Sequence, residues 1–169
     1  PQYRTTDADG DFREWEALLS RRIRLPGKAR LDRQIGDHTR SAADDTLAIL
    51  REEGEDGSGN RAGGVFHCFT ESADVARAAL DLGYYISFSG IITFKSAQAL
   101  RDVVALVPLE RLLIETDSPY LAPVPYRGKT NNPSYVPWVA QQVASVRGMA
   151  VQDVAHITSR NFDTLFSGV

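Results

Sequence analysis

From residue 64 onward, apolar and polar positions switch repeatedly between a two-residue and a helical period. Gly64-Val65-Phe66-His67-Cys68-Phe69 predicts a strand. Ser72 predicts the cap of a helix burying Val75, Ala76, Ala79 and Leu80, closed by Gly83. Tyr84 to Ser89 predicts a second strand ending at Gly90. Ser96 opens a helix with Leu100, Val103, Val104 and Val107 on its inner face, stopped by Pro108. Leu112 to Ile114 is a short aliphatic run bounded by turn signals, the mark of a buried strand. Pro133 suits the first turn of a helix carrying Val136, Val139, Ala140 and Val143, ended by Gly148. Two short helices, near 151–158 and 160–166, complete the pattern with Phe162, Leu165 and Phe166.

The first part of the chain is less regular. Phe12, Trp15, Leu19 and Ile23 fall near helical spacing from Asp11, and Pro26-Gly27 stops that helix. Residues 28 to 37 offer little apolar surface, and Gln34-Ile35-Gly36-Asp37 makes a poor strand because Gly and Asp disfavour strand interiors. Ser41-Ala42-Ala43-Asp44 has the form of a helix start, with Ala43, Leu47 and Leu50 on one face and Gly54 as the stop. Strands alternating with helices predict an α/β fold with a parallel sheet and right-handed crossovers. Counting the weak strand before His38 gives four such units.

Composition narrows the function without choosing it. With 169 residues, 43% apolar and 24% charged, the chain has the balance of a soluble globular domain. A net charge of −3 gives no global attraction to nucleic acid, so any polyanion site must be local. Cys68 is the only cysteine, which excludes an internal disulfide. No run of about 18 apolar residues suggests a membrane span, and no signal-peptide pattern is visible, so a cytoplasmic location is the default expectation. The chain opens on Pro1 and its only methionine is Met149, so a fragment of a longer protein is the expected origin. Neither a dinucleotide fingerprint nor a phosphate-binding P-loop is present.

The reactive groups fall at equivalent places. His38 follows the first predicted strand, His67 lies near the end of the second, and Asp117 ends the fourth. Sites in parallel α/β folds sit at the C-terminal ends of strands. Two imidazoles and a carboxylate suit a divalent ion such as Zn or Mn, which can hold a phosphate or carbonyl oxygen beside an attacking water. Strand alternation puts Glu115 on the same side as Asp117, and Cys68 on the side away from His67, facing the helices. His156 lies in a helical stretch far from any strand end and reads as a surface or packing residue. The loop from Ser118 to Asn132, stiffened by Pro119, Pro123 and Pro125, carries Arg127, Lys129, Asn131 and Asn132; Arg40 and Lys95 also follow strand ends. Cations above a metal site suit phosphate contacts. The aromatics Phe69, Phe94, Tyr120 and Tyr126 fall on the same rim, as pocket walls or as base-stacking groups.

These segments resemble the TatD family of metal-dependent deoxyribonucleases. The resemblance is carried by His38-Thr39-Arg40, by Gly64 to Thr70, by Tyr85 to Gly90, by Leu113 to Tyr120, and by Pro125-Tyr126-Arg127-Gly128-Lys129 followed by Asn132-Pro133. It runs from about residue 38 to 166 of a single domain, with 1–37 matching poorly. It implies a (β/α)8 TIM barrel, here about its second half, strands five to eight. It also implies a site for two divalent ions (Mg, Mn or Zn) and DNA as the substrate, often cut from the 3′ end. His38, His67 and Asp117 would be metal ligands, Asp117 would act on the attacking water, and Glu115 would support the ligands from behind. Arg40, Arg127 and Lys129 would contact phosphate. The family's His-x-His pair and its bridging glutamate have no counterpart here. The expectation is therefore impaired activity of the chain by itself and self-association through open barrel edges. A non-catalytic remnant or binding module of the same fold, or a metal-dependent amidohydrolase, are the alternatives.

Overall fold

The computed structural model describes residues 43–52 and 64–166. Helix α1 spans Ala43–Glu52; then follow strand β1 (Val65–Phe66), helix α2 (Ala73–Asp81), strand β2 (Tyr85–Phe88), helix α3 (Gln98–Leu106) and strand β3 (Leu112–Ile114). Helices α4 (Val136–Arg147) and α5 (Val151–Phe166) follow, with short 3-10 turns at Gly90–Thr93, Leu109–Arg111 and Pro133–Tyr135. The strands form one parallel sheet in the order β1-β2-β3, Phe66 opposite Ile86 and Ile86 opposite Leu112. Successive parallel neighbours linked by helices form an arc of a β/α barrel, as expected. The expected strand before His38, the helix from Asp11, the helix start at Ser41 and the stop at Gly54 lie outside the described residues.

All four residues of β2 are buried, as a parallel strand covered on both faces requires. Phe66, Ile86, Phe88 and Leu112 pack with Val104, Val107, Val139, Val143 and Val154 of the covering helices, and Leu47 and Leu50 of α1 join the same core. Boundary chemistry follows the sequence at several places. The Ser72 hydroxyl accepts from the Val75 N–H at 3.3 Å, and Gly148 closes α4 in the left-handed conformation, φ 63°. The Arg147 guanidinium reaches from the end of α4 to the carbonyls of Val104, Ala105 and Val107. Those carbonyls end α3, so one cation satisfies acceptors that the helix leaves open.

Three expectations are corrected. The two short C-terminal helices are one continuous helix, α5. Its middle, Thr158-Ser159-Arg160-Asn161, is poor in strong helix formers, but tertiary bonds hold it. Asn161 Nδ2 donates to the carbonyls of Leu109 and Leu112 at 2.7 and 2.8 Å, tying α5 to the start of β3. Helix α3 starts at Gln98 rather than on a Ser96 cap; Ala97 takes the cap position with no side-chain bond. The strand predicted from Gly64 to Phe69 pairs as a strand only at Val65–Phe66. His67 and Cys68 bulge out, Cys68 at φ 45°, before the Phe69 N–H returns to the Ser87 carbonyl at 3.0 Å.

Candidate metal and catalytic site

The C-terminal ends of β1, β2 and β3 lie along one edge of the sheet, and the reactive side chains gather there. The ladder continues one residue past β3: the Glu115 N–H donates to the Phe88 carbonyl at 2.9 Å. The chain then turns sharply, with Asp117 left-handed at φ 57°. A non-glycine residue there carries backbone strain of about 1 kcal/mol or more and persists only where its surroundings hold it.

Ligand atoms of Cys68, Glu115 and Asp117 all lie within 4.8 Å of one another. Glu115 Oε1 accepts the Cys68 N–H at 3.0 Å and lies 3.7 Å from His67 Nδ1. Glu115 thus stands between the β1 bulge and Asp117, facing the imidazole nitrogen that it can orient, so Nε2 is the ring nitrogen left to offer an ion. Glu115 and Asp117 share a site, as the alternation implies. Cys68 does not face away from it: the bulge shifts the side-chain parity, and the thiol turns onto the carboxylates. Cys68 Sγ lies 3.4 Å from Ser89 Oγ at the end of β2, and it is bonded to the Asp117 side chain. Burial pushes the thiol pKa far above the ordinary range; the Ser89 hydroxyl opposes this, while the charges of Asp117 and Glu115 add to it. A neutral thiol there donates to Asp117 without adding charge.

This donor set fits a divalent ion. Two half-buried carboxylates in close range favour a counter-charge, and the Cys68 thiol completes the close group; His67 lies beside it, its Nδ1 3.7 Å from Glu115. Next to Asp117, the buried Ser118 Oγ has no hydrogen-bond partner among the described residues. His38 and Arg40 lie outside the described residues. His156 is exposed on α5.

The loop after Asp117 is less open than its sequence suggests. Asn131, 3% exposed, donates its Nδ2 to the carbonyls of Thr116 and Tyr120, both at 2.6 Å, and its N–H to the Pro119 carbonyl. Asn132 Oδ1 accepts the Ser134 N–H and starts the turn before α4. These asparagines fasten the loop and are spent on the protein itself; an N-P pair marks such a turn in sequence, but the double clamp of Asn131 has no local signature. Arg127 and Lys129 are exposed. The Arg127 guanidinium lies 3.6 Å from the Phe94 ring centroid, and Lys129 Nζ lies 5.6 Å from that of Tyr126. Phe69 is buried in the core, Phe94 and Tyr126 are half-buried under Arg127 and Lys129, and Tyr120 is exposed.

A parallel α/β sheet with an imidazole and carboxylates at its C-terminal edge offers donors for a divalent ion where β/α barrels place their sites. Residues 6–167 match the family model described as TatD related DNase, and the chain belongs to that family. It is 55% identical over 136 residues to an uncharacterized metal-dependent hydrolase, YcfH, of Escherichia coli K12, covering 80% of this chain and 50% of that protein. It is 47% identical over 151 residues to the uncharacterized metal-dependent hydrolase YabD of Bacillus subtilis, covering 89% and 54%. The crystal structure of YJJV, a TatD homolog from Escherichia coli K12, aligns with a TM-score of 0.67 at 30% identity, over 77% of this chain and 48% of that one. The chain spans about half the length of the curated relatives it matches. Membership bears out the resemblance and the TIM-barrel fold class, of which three strands are described. Among the described residues, no helix is long and apolar enough to cross a membrane.

Proposed function

We propose that this chain contributes to a metal-dependent hydrolase that cleaves phosphodiester bonds of DNA. The observation that carries the reading is the convergence of Glu115, Asp117 and the His67–Cys68 bulge on one sheet edge, directly before a loop bearing exposed Arg127 and Lys129. His67 and Asp117, with His38, would hold a divalent ion, and Glu115 would fix the His67 ring. Such an ion supplies charge stabilisation for a phosphoryl oxygen and brings water within reach of a base. Asp117 is the base: a carboxylate oxygen takes the proton of the water whose oxygen bonds to phosphorus, while the bond to the leaving sugar oxygen breaks. Arg127 and Lys129 favour an anionic diester over a neutral amide, which tilts the reading away from an amidohydrolase.

Three ligands from this chain suffice for one ion better than for two, so turnover of the isolated chain should be slow or undetectable. The test is Mn²⁺ titration calorimetry on the purified chain, with oligonucleotide, bis(p-nitrophenyl) phosphate and amide substrates assayed beside it. Mn²⁺ binding that Asp117→Asn abolishes supports the site. Absence of Mn²⁺ binding, or amide hydrolysis without phosphodiester hydrolysis, overturns the reading.

A further inference from the structure

Cys68 is a reactive group at the sheet edge that the proposed hydrolytic ion does not use. It is the only cysteine of the chain and is 2% exposed. A free cysteine that serves packing alone behaves as a small hydrophobe. This thiol keeps polar company. Its Sγ lies 3.4 Å from Ser89 Oγ, it is bonded to the Asp117 side chain, and the Cys68 N–H is held by Glu115 Oε1 at 3.0 Å. Ligand atoms of the thiol and the two carboxylates lie within 4.8 Å of one another.

That spacing is close to what one ion requires. Sulfur and oxygen donors at about 2.0–2.3 Å from a tetrahedral ion stand roughly 3.5 Å apart. The group therefore needs to contract by little more than about 1 Å, within the reach of side-chain rotation. A carboxylate has two oxygens, so Glu115 can keep the Cys68 N–H on one and offer the other. A second observation lies next to Asp117 in the chain. The Ser118 Oγ is buried and has no hydrogen-bond partner among the described residues. A buried hydroxyl without a partner is unfavourable, and water carried in with an ion at Asp117 would supply one.

Sulfur decides which ion. Thiolate suits Zn²⁺ and its soft analogue Cd²⁺, whereas Mg²⁺ and Mn²⁺ take oxygen donors. We propose that Cys68, Glu115 and Asp117 form a separate binding mode for one thiophilic divalent ion, with Cys68 Sγ as a direct ligand. In the metal-free chain burial keeps the thiol protonated, so the ion displaces that proton. The S–H bond breaks, a sulfur–metal bond forms, and the proton leaves to solvent. The thiophilic mode and the hydrolytic one both claim Asp117, so each excludes the other and a thiophilic ion is an inhibitor. The exclusion rests on the hydrolase reading; coordination by the thiol does not, and it can be measured without catalysis.

The test is titration of the whole chain with Cd²⁺, read by the ultraviolet sulfur-to-metal charge-transfer band. With one cysteine in the chain, that band has one source. It should saturate at one Cd²⁺ per chain and vanish in Cys68→Ser. Asp117→Asn and Glu115→Gln should each raise the Cd²⁺ midpoint by more than the roughly ten-fold that loss of an outer partner costs. Calorimetry should show the ratio of Cd²⁺ to Mn²⁺ affinity falling about ten-fold or more in Cys68→Ser, a change of selectivity that a misfolded site, which loses both ions, does not give. Bound Mn²⁺ should raise the Cd²⁺ midpoint of the wild type. No band in the wild type, saturation at half an equivalent (two chains sharing one ion), a midpoint unchanged in Asp117→Asn, or one indifferent to Mn²⁺ that calorimetry shows to be bound would each overturn the proposal. A Cd²⁺ band without any Mn²⁺ binding would support the thiol site while sinking the hydrolase reading.

Discussion

Glu115 Oε1 accepts the backbone N–H of Cys68 at 3.0 Å, which fastens the end of β3 to the bulge after β1. The same oxygen lies 3.7 Å from His67 Nδ1, so one carboxylate holds the bulge and faces the imidazole. Glu115→Gln keeps an acceptor for Cys68 and removes the charge beside His67. It should leave the urea midpoint nearly unchanged while lowering Mn²⁺ affinity about ten-fold or more, the usual scale for a partner that orients a metal ligand. Glu115→Ala loses the acceptor as well and should cost about 1.5–3 kcal/mol of stability, as for hydrogen bonds to charged groups. Equal Mn²⁺ affinity in wild type and Glu115→Gln, measured by calorimetry, would show that Glu115 is only a structural brace.

Cys68 should make the metal-free chain lose stability in alkali. Its thiol is raised in the folded state, first by burial and then by Asp117 and Glu115. Above the ordinary thiol pKa, about 8.5, the unfolded chain releases the proton and the folded chain keeps it. The folded state then binds more protons, so stability falls as pH rises, approaching about 1.4 kcal/mol per pH unit. Below pH 8 this contribution is flat. Urea midpoints in EDTA between pH 7 and 10 should decline for wild type and decline less for Cys68→Ala. Parallel curves for the two proteins would sink the assignment. Iodoacetamide should also label the native thiol far more slowly than the unfolded one.

Gly90 is required by contact, not by its own backbone angle. A Cβ there would lie 2.0 Å from the carbonyl oxygen of Leu121 and 3.1 Å from the Pro123 nitrogen. Leu121 is itself left-handed, φ 53°, so the loop after β3 is already committed where it meets the turn after β2. Thr93 braces the same junction: its hydroxyl donates to the Gly90 carbonyl at 2.7 Å and accepts the Val124 N–H at 2.9 Å. Gly90→Ala should destabilise by about 3 kcal/mol, the upper range for overpacking, because backbone cannot swing aside as a side chain does. Gly148→Ala, strained at φ 63° but with nothing within 4 Å of the new Cβ, should cost only about 1 kcal/mol. Thermal unfolding of the two variants should preserve that order.

The parts legible in the sequence are those set by local chemistry. Ser72, Gly148, Pro108 and the Asn132-Pro133 pair mark element ends through capping and backbone limits, which a short window contains. Glu115 and Asp117 were readable as a pair because they flank the end of one aliphatic run. Cys68 was not, since two bulged residues reverse the alternation and nothing between Phe66 and Phe69 announces a bulge. Continuity of α5 was also hidden, because Asn161 is held by carbonyls about fifty positions away. The ring cluster of Tyr126, Tyr135 and Trp138 has no local signature either, because Tyr126 comes from the preceding loop.

Asn131 gives the sharpest stability test of the loop, because its chemistry has a direction. Both Nδ2 hydrogens are donated, to the Thr116 and Tyr120 carbonyls, and its Oδ1 accepts the Asn132 N–H at 2.9 Å. Asn131→Asp conserves shape and keeps the acceptor but turns an amide donor into a carboxylate facing two carbonyl oxygens. Asn131→Ala removes the donors without adding repulsion, leaving acceptors short of partners at about 1–3 kcal/mol. Asp should therefore be worse than Ala at neutral pH, against the usual ranking by similarity of size. Lowering the pH should narrow the gap, since a protonated acid can donate to one carbonyl. The measurement is the urea midpoint of both variants at pH 7 and pH 4, each referred to wild type at the same pH. Limited proteolysis should cut the 118–132 loop faster in both variants. Asn131→Asp as stable as wild type at pH 7 would mean that the clamp does not hold the loop, and with it the rigid placement of Tyr120 beside Asp117.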